Sequence, residues 1–122
     1  LRARTSLAIR SAGFTNPGRR ATLKMREAAA EAGYSLELHR SQLVTPGMLH
    51  WADIVLYMDG GNLKRLQCVE GFSALKCRGL GSYLKDPLER IPDPNYMARG
   101  SQEFNSVVCL ILDACKGFVA TC

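Results

Sequence analysis

Asp93 is the residue whose type and setting most directly suggest chemistry. It stands between Pro92 and Pro94. Because a proline disfavours helical geometry in the residue before it, Pro94 predicts an extended backbone at Asp93. A carboxyl group fixed in an extended segment can serve as a proton donor or acceptor. Taken alone, the residue is more often a turn acid, so the sequence around it has to decide its role.

Other candidate groups are weaker. His39 is flanked by polar residues, and a hydrogen-bonding role inside a loop explains it equally well. The pattern Gly79-Leu80-Gly81 is too short to predict a phosphate-binding loop. No spacing predicts a Ser-His-Asp arrangement.

The cysteines indicate reduced thiols rather than a metal or disulfide site. There are five, an odd number, with neither C-x-x-C spacing nor a nearby histidine pair. This composition is typical of a cytoplasmic protein, and we expect no metal and no cofactor. Cys115 and Cys122 lie seven positions apart on a predicted helix and should pack on one face. They are not expected to react.

Composition limits the remaining classes of function. Of the 122 residues, 47% are hydrophobic and 22% are charged, which excludes a disordered chain. No apolar run is long enough to span a bilayer, so no membrane association is expected. The formal net charge is +5, but the basic residues are scattered and do not alternate with aromatic residues. Nucleic acid is therefore not an expected partner.

The elements that must position these groups alternate between strands and helices. Thr5–Arg10 alternates like a strand, and a helix stopped by Gly33 follows. The run Ile54–Met58 predicts a strand buried on both faces. Asp59 and Ser101 are candidate N-caps of later helices. Prolines 87, 92 and 94 exclude regular structure between them. The order predicts an α/β domain over residues 1–122 with a mostly parallel sheet.

The order of the short motifs then becomes informative. They are Ser11-Ala12-Gly13, His39, the segment Ala52–Leu63, Leu80-Gly81-Ser82-Tyr83, Ile91-Pro92-Asp93-Pro94-Asn95-Tyr96 and Phe104. Together they resemble the low-molecular-weight protein tyrosine phosphatase family, which also contains arsenate reductases. The resemblance runs from about Ser11 to Phe118. It implies a three-layer α/β sandwich with a small, mostly parallel sheet.

The resemblance also implies roles for individual residues. Asp93 matches the general acid of the family, and Tyr96 matches an aromatic wall for the substrate ring. Asn95 stands beside it where an aromatic residue is common. Ser11 and His39 match residues that brace the phosphate loop. Gln42 stands where an arginine is usual, so one supporting contact is expected to differ.

The catalytic C-x5-R loop of the family is absent from this chain. The sixth residues after Cys68, Cys77, Cys109 and Cys115 are alanine, tyrosine, cysteine and threonine. The first strand and first helix of the family also have no counterpart. Three interpretations stay open: an enzyme whose C-x5-R segment lies outside this chain, a non-catalytic binding or structural protein (a pseudophosphatase), and an arsenate reductase-like enzyme.

The resemblance implies a phosphotyrosine-containing protein or a small phosphate monoester as partner. It also implies that the central strand position is filled by another segment or another chain. Without that strand, two strand edges would lose their ladders and become open to pairing.

Overall fold

The computed structural model describes residues 7–122, which form an α/β fold with a small parallel sheet. This confirms the predicted fold class. The described chain divides into two compact units between Leu43 and Val44. Its helices are α1 (Leu23–Glu31), α2 (Pro46–Trp51), α3 (Gly60–Gln67) and α4 (Gln102–Ala120), its strands are β1 (Val55–Tyr57) and β2 (Cys77–Gly79), and its 3-10 turns are Ala74–Lys76, Leu80–Tyr83 and Pro94–Tyr96.

In the first unit, α1 ends where the sequence predicts. Gly33 has a φ of 89°, a conformation that costs glycine little. Its N–H donates to the Ala30 carbonyl (3.1 Å), and the Tyr34 N–H donates to the Ala29 carbonyl (2.8 Å). This pair of bonds is a Schellman motif, which satisfies carbonyl groups that the helix end leaves open.

The predicted strand Thr5–Arg10 is not confirmed. Residues 5 and 6 lie outside the described part of the chain, and Leu7–Arg10 has no regular structure. An alternating sequence becomes a strand only when a neighbouring strand completes its hydrogen-bond ladder. Among residues 7–43 the bridges are isolated ones, Gly13 with Leu43 and Arg20 with Arg40.

In the second unit, β1 and β2 pair in parallel, with Val55 opposite Cys77 and Tyr57 opposite Gly79. The expectation that β1 is buried on both faces is wrong for Leu56, which is 37% exposed. Successive strand side chains point to opposite faces, so the half-buried Val55 and Tyr57 lie on the other side.

Both predicted N-caps are confirmed. The Asp59 side chain accepts a hydrogen bond from the Asn62 N–H (2.8 Å), and Ser101 accepts one from the Phe104 N–H (3.1 Å). Each bond satisfies one of the free N–H groups in the first turn of a helix.

The core of the second unit is built on α4. Phe104, Val107 and Ala114 are buried along this helix. A buried cluster joins Leu80, Ile91, Val107 and Ala114, and Met58 and Cys115 pack against it. The expectation that Cys115 and Cys122 pack on one helix face is wrong for Cys122, which is exposed because it lies two residues beyond the last helical residue, Ala120.

Two glycines allow backbone segments to approach closely. A Cβ added at Gly117 of α4 would collide with the carbonyl oxygen of Tyr83, and one added at Gly81 would collide with that of Leu88. The Tyr83 ring also contacts Phe118 edge-on, with centroids 5.2 Å apart. Gly117 therefore lets α4 lie directly on the 3-10 turn Leu80–Tyr83.

Within residues 7–122, none of the helices combines the length and apolar character needed to cross a membrane.

Candidate functional site

Asp93 begins the 3-10 turn Pro94–Tyr96. Its backbone is extended, with φ −79° and ψ 116°, as Pro94 predicts. Its Oδ1 atom accepts a hydrogen bond from the Asn95 N–H at 2.9 Å. The expectation that prolines exclude all regular structure here is wrong for this single turn. Pro94 occupies its first position, where the fixed φ of proline is tolerated and no N–H is needed.

Buried neighbours hold the candidate acid at the surface. Ile91, two residues earlier, is 0% exposed, and Pro94 is also buried. Asp93, which lies between Ile91 and Pro94, is exposed, and so is Asn95, which follows Pro94. Tyr96 is 90% exposed. The turn therefore presents a carboxylate, an amide and a phenol ring to solvent from an anchored backbone.

The anchoring extends to the end of β1. The Ile91 N–H donates to the carbonyl of Met58, the residue after the strand, at 2.8 Å. Met58 also packs against the cluster that contains Ile91. The segment that carries Asp93 is thus tied to the sheet by one backbone bond and one buried side chain.

The first unit brings Ser11 and Gln42 together. The Gln42 side-chain amide donates to the Ser11 carbonyl at 2.8 Å, and the Gln42 carbonyl accepts from the Gly13 N–H at 2.8 Å. His39 is half-buried, and its backbone N–H donates to the Leu36 carbonyl at 3.1 Å. Gln42 therefore makes a supporting contact of its own at the position where the resemblance implies an arginine.

One contact was not predicted from the sequence. The Arg99 guanidinium lies 5.6 Å from the centre of the Phe104 ring, within cation–π distance. The two residues flank the N-cap Ser101, and no spacing rule signals a contact across a cap.

Two of the cysteines, Cys77 and Cys115, differ in character from a phosphatase nucleophile. Burial raises the pKa of the Cys77 and Cys115 thiols, because desolvation disfavours the thiolate. The nucleophilic form of cysteine is the thiolate, so both are poor nucleophiles. Cys68, Cys109 and Cys122 are exposed, and all five thiols are free. Among residues 7–122, no three His, Cys, Asp or Glu side chains group closely enough to hold a metal.

The raised pKa of Cys115 predicts the order of thiol modification. With a water-soluble alkylating reagent near neutral pH, we expect Cys68, Cys109 and Cys122 to react first and Cys115 last. The Cys115 rate should rise with pH as its thiolate forms, because burial raises the pKa of this thiol. Site-resolved mass spectrometry of timed samples measures this. Equal rates at Cys115 and the exposed Cys109 would contradict it.

Comparisons with known proteins show a family and a fold for this chain. Low molecular weight phosphotyrosine protein phosphatase is the family whose sequence profile matches, over residues 3–122. A search of curated proteins gives no match.

Solved structures with the same fold come from several bacteria. The low molecular weight phosphotyrosine phosphatase VcLMWPTP-2 of Vibrio cholerae O395 is 25% identical, with a TM-score of 0.80, over 98% of this chain and 78% of that one. YfkJ of Bacillus subtilis is 26% identical, with a TM-score of 0.75, over 89% and 67%. The tyrosine phosphatase Wzb of Escherichia coli K30, solved with sulphate, is similar in fold at 24% identity, with a TM-score of 0.75, over 86% and 71%.

The profile match covers nearly the whole sequence, and the fold is that of solved members. The chain belongs to the low molecular weight phosphotyrosine protein phosphatase family.

Proposed function

We propose that this chain is the acid-bearing part of a phosphatase that acts on phosphotyrosine in proteins or on small phosphate monoesters. In this proposal the nucleophile comes from a C-x5-R segment, whose thiolate forms a cysteinyl phosphate. The chain itself supplies the proton for the leaving group. The observation that carries the proposal is the anchored, extended Asp93 with its carboxylate exposed beside Tyr96.

The assigned role of Asp93 is that of general acid. A tyrosyl oxygen has a pKa near ~10 and leaves poorly as an anion at neutral pH, so it needs a proton as the P–O bond breaks. Oδ1 of Asp93 already accepts the Asn95 N–H. An oxygen that already accepts a hydrogen bond is poorly placed to carry the acidic proton. Oδ2 is therefore the atom that would hold and transfer it.

The other site residues have supporting roles in the proposal. Tyr96 is almost fully exposed, so its ring is free to lie against an aromatic substrate. Asn95 replaces a second aromatic residue and offers an amide in its place. Ser11 and His39 would brace the phosphate loop by hydrogen bonds. No metal or cofactor takes part, since a thiolate and a carboxylic acid suffice for this transfer.

As it stands, the 122-residue chain should not hydrolyse aryl phosphates. None of its cysteines begins a C-x5-R sequence, and burial raises the pKa of two of them. The test incubates the purified chain with a chromogenic aryl phosphate beside the Asp93→Asn variant. Both should stay at background. Turnover by the unmodified chain that disappears in Asp93→Asn would contradict the proposal.

The absent C-x5-R sequence also keeps a second candidate function open, that of a non-catalytic binding protein with the phosphatase fold. A polypeptide that joins a C-x5-R segment to this chain separates the two, since only the first proposal expects aryl phosphate turnover from it. An arsenate reductase-like enzyme would instead consume arsenate and a thiol reductant. We place the protein in the cytoplasm, where its five free thiols would stay reduced.

A further inference from the structure

Asn62 forms a reciprocal pair of hydrogen bonds at the start of α3. Its N–H donates to the Asp59 side chain at 2.8 Å, and its side-chain Oδ1 accepts from the Met58 N–H at 3.1 Å. A capping box returns to the N-cap residue itself. Here the return bond goes one residue further back, to the residue that follows β1. Asn62 therefore fixes the backbone at the end of β1 as well as the first turn of α3.

Both backbone polar groups of Met58 are hydrogen-bonded. Its N–H is satisfied by Asn62, and its carbonyl accepts the Ile91 N–H at 2.8 Å. The ladder between β1 and β2 ends at Tyr57, so the sheet register does not extend to Met58. The direction of its carbonyl depends on the Asn62 side chain and on the packing of Met58 against the core.

Ile91 transmits this constraint to the candidate acid. It is fully buried, and Asp93 follows two residues later, immediately before the buried Pro94. Only Pro92, whose φ is fixed by its ring, separates Ile91 from the extended Asp93, which leaves little freedom between the Met58–Ile91 bond and the Asp93 carboxylate. A change in the Met58 carbonyl would therefore move the start of the turn on which Asp93 and Asn95 meet.

We propose that Asn62 is a positioning residue for Asp93, acting through Met58 and Ile91. The inference rests on the proposed role of Asp93 as general acid. It differs from a simple helix-capping role, which would stabilise α3 and leave the Asp93 turn unaffected.

The experiment uses the full 122-residue chain, isotopically labelled, and measures amide hydrogen exchange at Ile91 and Asn95 together with the Asp93 carboxyl carbon resonance. Asn62→Leu removes the acceptor, Asn62→Asp keeps it, and Asn105→Leu removes an exposed amide on α4 as a matched control. The loss of one hydrogen bond should speed exchange at Ile91 and Asn95 about 2- to 13-fold.

The comparison is made relative to the buried amides of Val107 and Ala114, which report stability of the whole unit. The proposal expects selective acceleration and a shifted Asp93 resonance in Asn62→Leu, recovery in Asn62→Asp, and no effect of Asn105→Leu. Unchanged exchange at Ile91 and Asn95, or an equal increase at Val107 and Ala114, would overturn it. If Asn62→Leu does not fold, Asn62→Ala is judged by the same criteria.

These measurements need no turnover, so the two proposals fail separately. Selective acceleration in this chain, combined with full activity of an Asp93→Asn variant in a form of the protein that carries a C-x5-R loop, would reject the acid role while retaining the link from Asn62 to the turn. No effect at Ile91 would reject the link alone.

Discussion

Replacing Asp93 with asparagine should lower kcat by roughly 10²–10⁴-fold in a form of this protein that carries a C-x5-R loop, the usual contribution of a general acid. Asparagine keeps the size of the side chain and an oxygen that can accept the Asn95 N–H, so the turn should survive. What it loses is the transferable proton. Steady-state kinetics with a series of aryl phosphates measures the effect.

The leaving-group series provides the decisive comparison. The loss should shrink as the leaving group becomes more acidic, because a stable anion needs no proton. Asp86 offers a matched control, since it is also exposed and also precedes a proline, but no buried neighbour pair anchors it as Ile91 and Pro94 anchor Asp93. Asp86→Asn should leave kcat nearly unchanged. An equal loss across good and poor leaving groups would show that Asp93 is structural.

Replacing Phe104 with alanine should cost about 3–5 kcal/mol in the free energy of unfolding, through lost burial and the cavity left behind. Phe104 is 1% exposed at the start of α4, and the Arg99 guanidinium lies over its ring. Because a domain of this size has only ~5–15 kcal/mol of net stability, the variant should lose a large share of it. Urea unfolding measures the difference in the free energy of unfolding, with the slope of that free energy against urea concentration expected to be the same for both proteins.

Leu75 provides the control for Phe104. It is 93% exposed in the turn Ala74–Lys76, so Leu75→Ala should change stability by less than about 0.5 kcal/mol. Similar shifts for the two variants would mean that Phe104 does not occupy the core as described.

Local rules predicted the features that depend on a few neighbouring residues. The caps at Asp59 and Ser101, the positive φ of Gly33 and the extended backbone of Asp93 each follow from the chemistry of one side chain and its own backbone. Such features need no knowledge of what packs around them.

Features that depend on distant partners were predicted less well. Leu7–Arg10 alternates like a strand but lacks regular structure, and Leu56 is more exposed than its apolar run implies. The hydrogen bond that the Asn62 side chain accepts from the Met58 N–H could have been suspected from the Asp59-x-x-Asn62 spacing. The hydrogen bond from the Ile91 N–H to the Met58 carbonyl could not. The roles of Ser11, His39, Asn95 and Tyr96 stay predictions, since each of them concerns a substrate or a C-x5-R loop.

The close approach of Gly117 to the Tyr83 carbonyl has a consequence for the axial position of α4. Sliding a helix by one residue moves it 1.5 Å along its axis and turns it by about 100°. Such a slide would bring the Cβ of Lys116 or Phe118 toward the carbonyl, where the structure has no room for one. Only one register of α4 then fits the turn Leu80–Tyr83. A single residue without a side chain thus helps to fix the axial position of a 19-residue helix on its neighbouring turn.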